Sequence, residues 1–427
     1  MSISERFSSL REGFHATFWV ANGMELFERL AYYGQATILS IYLRNRLGFS
    51  EIQVGTLSSI FGSVIYFLPI FAGTIADKIG FRRAFMFAFS VLTIGYFLIG
   101  SAGMSAFAGL YDGLPKFWVL VPIVVFTAIG GSFIKPSVLG TVALTTTPKS
   151  KSLGFAIYYW LVNVGAFLGP NIANVVRKQV GIEFVYLVSA ASCLAMVGVN
   201  FFFYRQVRPP QGEVTETLGK KMANLVEVLT NRRFIIFLLI FSLYWIMFWG
   251  GFYIVLPFFV TDVISKDADF DRLLSVGALA IFVLQIFINR LTKNVSTRWA
   301  ILSGFAVSSL CWLVLGATSS LWVIALGIVV WSVGEMIQAP RYYEYISDLA
   351  PPGQQALFQG YAFLPIAIAW LVGGPFGGWL YATYGKGTPH PAVVWYVMFG
   401  VGVLATVLML LYNIIVARGE SPRTGEA

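Results

Sequence analysis

Long apolar runs, separated by short polar loops, repeat along the whole chain. Twelve of them approach or exceed the roughly 20 residues that a helix needs to cross the hydrocarbon of a bilayer. They cover about 15–43, 51–76, 84–103, 117–143, 153–176, 184–206, 234–262, 273–292, 298–317, 320–347, 356–383 and 391–417. The pattern predicts an all-α integral membrane protein of twelve transmembrane helices. Runs longer than 25 residues predict tilt or kinks. One sizeable polar segment interrupts the series at 206–233 and divides the spans six and six. This predicts an N-terminal bundle over 1–205, a cytoplasmic linker, and a C-terminal bundle with a short tail over 234–427. Two such halves are expected to be pseudo-symmetric, with a site between them.

Composition agrees with the pattern. Of the 427 residues, 57% are hydrophobic and 11% charged, and 42 glycines and 17 prolines suit close helix packing and bends. A net charge of +9 would suit nucleic acid, but most of the 29 lysines and arginines fall in alternate loops and the tail. That bias follows the positive-inside rule and places both termini in the cytoplasm of a multi-pass inner-membrane protein, with no nucleic-acid partner expected. No cleavable signal peptide is expected, because polar residues 1–14 lead straight into a span too long for one. Cys193 and Cys311 lie singly in spans and offer neither zinc spacing nor a disulfide framework. His15 and His390 sit at span ends, and no Walker sequence, dinucleotide fingerprint or nucleophile elbow occurs. These absences argue against an enzyme or sensor, and no cofactor is expected.

The candidate chemistry lies in charges within apolar runs. Residues 25–34 place Glu25, Glu28, Arg29 and Tyr32 within about 100° of one face of the first span, with Tyr33 beside them. Each such charge costs about 2.5–3.5 kcal/mol at the centre of a membrane helix, so it is expected to face a bundle interior or a wet path. In the fourth span, Lys135 is the only lysine inside a run; it lies one turn after Gly131 and before the bend-prone Pro136. It either faces a cavity or snorkels to the inner surface. In the fifth span Tyr159 and Asn163 share a face and can bond a polar solute. In the tenth, Glu335, Gln338 and Tyr342 form a stripe with Glu335 near the midplane, while Arg341 and Glu344 suit a structural ion pair. Trp245 and Trp249 belong to an aromatic stripe in span seven that serves packing or lines a solute path. The glycines of span eleven suggest tight packing.

Two resemblances join these segments. Residues 73–83, with Asp77, a glycine turn and the pair Arg82–Arg83, resemble the signature loop of the major facilitator superfamily, in which such residues latch the cytoplasmic side. The matching loop at 289–298 keeps basic residues but lacks the acid. Glu25–Gly34 resembles the E-x-x-E-R-F-x-Y-Y-G motif of the proton-dependent oligopeptide transporters of that superfamily, with Leu30 for the phenylalanine. Gly130–Ser137 resembles their G-G-I-K-P segment, Phe155–Pro170 their F-x-I-Y-Y-x-x-I-N-x-G signature, and Glu335 their tenth-helix acid.

The resemblance implies the major facilitator fold and proton-coupled symport of small peptides, or of a related zwitterionic or anionic solute, by a monomer in lipid. It implies that Glu25, Glu28 and Arg29 couple protons, and that Lys135 pairs with them or meets a substrate carboxylate. Asn163 and nearby tyrosines would meet the peptide backbone, and Glu335 the substrate amine. Two departures are informative: Ala36 stands where the carriers commonly have an arginine, and Trp249 where many have an acid. The family's extra helix pair has no room in 206–233. Efflux of amphipathic compounds is the competing transport reading.

Overall fold

The computed structural model describes residues 14–147, 150–207, 218–350, 355–385 and 387–419. Arg6, Arg11, Lys149, Arg208, Lys386 and Arg423 of the charge pattern, both chain ends and the middle of the 206–233 linker lie outside the described residues.

Local chemistry sets the helix limits. α1 (Ala16–Ile41) begins at His15, whose Nδ1 accepts the Thr17 N–H at 3.2 Å. α2 (Glu51–Phe67) opens with a capping box between Ser50 and Gln53. Leu68 precedes Pro69, and there the chain bends by 50° into α3 (Pro69–Ile79). Gly80, at φ 88°, makes the turn into α4 (Phe81–Ser101), a conformation that other residues rarely adopt. α5 (Lys116–Ser132) and α6 (Ile134–Thr145) form one span interrupted at Phe133, where Pro136 offers no N–H to the Ser132 carbonyl. α7 (Lys151–Gln179) and α8 (Ile182–Phe203) complete the first half.

The polar linker contains a helix, α9 (Leu218–Thr230). α10 (Arg232–Ile246) continues through wide π turns at Met247–Val255 and Val260–Ile264, which flank α11 (Leu256–Phe259). α12 (Phe270–Thr292), α13 (Thr297–Gly316), α14 (Leu321–Leu349), the short α15 (Gln355–Gly360), α16 (Leu364–Tyr384) and α17 (Val393–Gly419) follow.

Among the described residues ten spans are long and apolar enough to cross a membrane, and the bent α2–α3 pair makes an eleventh. The twelfth expected span, α1, falls outside that criterion although its 26 residues reach about 39 Å. The reason is chemical: every 18-residue stretch of α1 contains Glu25, Glu28 and Arg29. All three are buried, and α1 packs on α7 and α8. Protein, not lipid, surrounds the charges.

The helices α1, α2, α4, α5, α7 and α8 pack as one bundle, and α10, α12, α13, α14, α16 and α17 as a second. The bundles meet along two seams, α2 on α16 and α7 on α12. In span order these are two on eleven and five on eight. Exchanging the halves maps one seam onto the other, as a two-fold axis does. The first seam is made of glycine. A Cβ on Gly55 would lie 2.1 Å from the Gly374 carbonyl oxygen, and one on Gly374 would lie 2.3 Å from that of Gly55.

The second seam is polar, and it sits at the far end of the molecule, where α1 finishes. Asn171 donates to Ser275 at 3.1 Å, and Asn174 donates to Asp271 at 2.7 Å and Asp269 at 2.8 Å. Arg177 Nε donates to the fully buried Asp271 at 2.9 Å, and Lys178 pairs with Asp269. Partial burial would raise the Asp269 carboxyl, but hydrogen bonds from Lys178 and Asn174, with the charges of Lys178 and Arg272, outweigh it and hold the group below the usual carboxylate range. Beside this seam Arg44 forks onto Asp262 at 2.6 and 2.7 Å, and the Tyr381 hydroxyl donates to the same carboxylate at 2.9 Å. The two bundles are thus clasped at the far end.

Candidate functional site

Arg29 holds the first-span cluster together. Its Nε lies 3.2 Å from Glu25 Oε1, and its guanidinium also pairs with Glu28. The rings of Tyr32 and Tyr33 lie 5.0 and 6.0 Å from its Cζ. The cluster is sealed by glycine. A Cβ on Gly165 of α7 would come within 2.4 Å of Arg29 Cβ, and one on Gly169 within 2.8 Å of the Leu30 carbonyl oxygen. These two glycines, four apart on one helix face, bring α7 onto α1. Their four-residue spacing is the sequence signal for that contact.

Between the bundles lies a cavity of about 220 Å³, reached by α1, α7, the first π segment, α12 and α14. Of the residues singled out in the sequence, Tyr33, Tyr159, Asn163 and Glu335 line it. These four residues come from three helices, α1 and α7 of the first bundle and α14 of the second.

Lys135 is not in the lining. Its Nζ lies 5.2 Å from the Tyr66 ring centre and 5.1 Å from that of Phe363, so it rests on aromatic faces where the bundles meet. Gln338 turns from the cavity onto α13, where a Cβ on Gly304 would be 2.6 Å from its own Cβ. Tyr342 lies beyond Pro340, packs on Phe241 with the ring centres 4.0 Å apart, and donates to the Ala362 carbonyl at 2.6 Å. The stripe read from the tenth span thus divides between cavity and core. Tyr32 is buried against Tyr33 and Phe61. Trp249 stacks on Trp370 at 4.3 Å, and Trp245 packs on Trp249 and Phe248. This aromatic stripe packs the second bundle, while Phe248, Phe252 and Tyr253 of the same segment line the cavity.

At the near end, where α1 begins, Arg82 donates to the Phe201 carbonyl at 2.7 Å, and its N–H donates to Gln206. It ties α4 to the end of α8 within the first bundle. Asp77 and Arg83 are exposed there. Arg341 and Glu344 form the expected ion pair at 2.8 Å. Cys193 and Cys311 are free and buried. The far-end clasp leaves no mark in the sequence: nothing in the spacing of Arg44, Arg177 and Lys178 points to partners roughly 90 to 220 residues away.

Similar proteins place these features in a family. The Dipeptide and tripeptide permease A of Yersinia pestis is 28% identical over 217 residues, which is 50% of this chain and 41% of that one. The chain thus spans less than half the length of this curated relative. The Multidrug resistance protein MdtH of Klebsiella pneumoniae subsp. pneumoniae is 24% identical over 392 residues, 91% of this chain and 92% of that one. A crystal structure of a POT family transporter in complex with 5-aminolevulinic acid superposes with a TM-score of 0.75 at 18% identity, covering 94% of this chain and 96% of that one. A peptide transporter POT in complex with sulfate superposes with a TM-score of 0.72 at the same identity. These likenesses establish the fold. The profile of the Major Facilitator Superfamily matches residues 24–277 and 264–426. With two bundles, paired seams and a cavity between them, the chain belongs to the Major Facilitator Superfamily of transporters, and it is not an enzyme.

Proposed function

We propose that this chain is a proton-coupled transporter that moves a small organic solute across the inner membrane by alternating access. The carrying observation is the buried Glu25–Glu28–Arg29 cluster directly behind Tyr33, a wall of the inter-bundle cavity. Carboxylates kept in a membrane interior at this cost are suited to exchange protons, and a cation shared between them can change partners as they do so. With the near end cytoplasmic, as the loop charges favour, the far-end clasp closes the outer side and the cavity belongs to an inward-facing state.

Symport of small peptides or a related solute is supported by the motif resemblance, by the POT fold and by the dipeptide permease match over half of the chain. Efflux of amphipathic compounds is the second reading. It is supported by the aromatic cavity wall and by the MdtH match along most of the chain.

The test is uptake into proteoliposomes under an imposed pH gradient, screened over dipeptides, amino acids, amines and organic anions. Glu28→Gln should abolish accumulation driven by the gradient yet retain counterflow of labelled for unlabelled solute. A variant that still concentrates solute in response to the gradient removes Glu28 from the coupling.

A further inference from the structure

We infer that the inter-bundle cavity selects solutes of net positive charge: an amine or guanidine on a flat apolar body, with no free carboxylate. The inference rests on the reading of this cavity as the solute site.

Two cations in the sequence could have met a carboxylate, and the fold withdraws both. Arg29 is 3% exposed, pairs with two carboxylates, and reaches the cavity only through the Tyr33 ring. Lys135 lies on Tyr66 and Phe363, neither of which lines the cavity. The nearest cation along α7, Arg177, is bound to Asp271 at the far-end clasp. Among the described lining residues there is no lysine, arginine or histidine, and Glu335 is the only carboxylic acid. A carboxylate held here would face Glu335 without a counter-charge, in surroundings too apolar to screen the repulsion.

The neutral polar groups point to the same class. Thr37 donates its hydroxyl hydrogen to Gly34 at 3.0 Å, Ser332 donates its own to Ile328 at 2.9 Å, and Asn163 donates an amide hydrogen to Tyr159 at 2.8 Å. All three line the cavity. The Thr37 and Ser332 hydroxyls and the Asn163 carbonyl are thereby left to accept the N–H groups of an ammonium or guanidinium. The donors that remain in the lining, one Asn163 amide hydrogen, the Tyr33, Tyr159 and Tyr253 hydroxyls and the Trp331 indole N–H, are neutral, so none supplies the counter-charge a carboxylate needs beside Glu335. The rings of Tyr33, Tyr159, Phe248, Phe252, Tyr253 and Trp331 supply the faces on which such a cation or a flat body rests. A volume of about 220 Å³ lies below the roughly 300–1,000 Å³ of sites for drug-sized ligands, so the solute is small.

A matched phenyl series tests the charge preference on the purified full chain in nanodiscs, by calorimetry. The ligands are 2-phenylethylamine, phenylalanine, 3-phenylpropionate and 2-phenylethanol. The amine should bind at least roughly tenfold more tightly than the zwitterion or the anion, as one ion–carboxylate contact with cation–π support allows. Glu335→Gln should erase the advantage of the amine over the alcohol while leaving the affinity for the alcohol near wild type. The wild-type series decides the matter even if that variant fails to fold. Phenylalanine or phenylpropionate binding as tightly as the amine overturns the inference. So does an amine advantage that survives in folded Glu335→Gln, or the absence of binding by all four ligands. Amine binding without gradient-driven flux of any solute would instead overturn the transporter reading and leave the charge preference standing.

Discussion

At the residue scale, glycine decides how close the bundles come. Gly55 and Gly374 each lack a Cβ that would otherwise strike the other helix's carbonyl at 2.1 and 2.3 Å. Gly62 plays the same part toward the Trp370 ring, where a Cβ would lie 2.1 Å from Cδ2. Backbone on both sides leaves no flexible side chain to move aside at Gly55, so the helices must part. Gly55→Ala is therefore expected to destabilise the clasped state by roughly 1–3 kcal/mol, the range for overpacking a tight core. The midpoint of thermal unfolding in detergent should fall accordingly, and a wild-type midpoint would show that the seam has slack. The same residue type supports the buried Glu25–Glu28–Arg29 cluster, because Gly165 lets α7 lie against Arg29. Glycines in an apolar run are readable as packing devices, but which surface they meet is not.

At the scale of elements, the far ends of α7 and α12 act as one lock. Asp271 is fully buried and its Arg177 partner is 14% exposed, so breaking the pair leaves a charge in poor solvent. Removing one member of such a pair costs about 3–5 kcal/mol, a change of roughly two to four orders of magnitude in a two-state ratio. Asp271→Asn should accordingly favour the far-open state. Spin-label distances between the far ends of α7 and α12 would lengthen, and unchanged distances would remove the lock from the gating argument. The neighbouring Lys178–Asp269 pair has a definite pH sign. Because its contacts hold the Asp269 carboxyl below the ordinary value of about 3.9, the pair is intact above that pH and is lost only as pH falls through the lowered value. Asp269→Asn thus removes a charge that is already present at pH 5. The variant should alter the far-end distance equally at pH 5 and pH 8.

At the scale of the whole molecule, the hydrogen bonds that join the bundles at Arg44, Ser59, Asn171, Asn174 and Arg177 lie in the far half or at the middle. Toward the near end Tyr159, a cavity residue on α7, is 53% exposed. A membrane-impermeant thiol reagent should label Tyr159→Cys from the near side, and an amine ligand should protect it. Cys193 and Cys311 are buried and contribute no background. Labelling only from the far side would reverse the assignment of the open end.

Periodicity and length alone determined the helices, their six-and-six arrangement and the membrane as solvent, because a chain in hydrocarbon must satisfy its backbone within each span. Glu25, Glu28 and Arg29 were legible as facing protein for the same reason: charges in an apolar run are too costly to leave in lipid, and all three are buried and paired. Pro136 announced its bend through a missing donor. Tertiary structure decided what each polar group meets. Lys135 lies on the rings of Tyr66 and Phe363, Gln338 faces Gly304, and Arg44 and Arg177 join carboxylates of the other half. Those outcomes depend on the rotation of each helix about its axis and on contacts across the whole chain. A periodic sequence places a residue on a face of its helix, and only packing determines what that face meets.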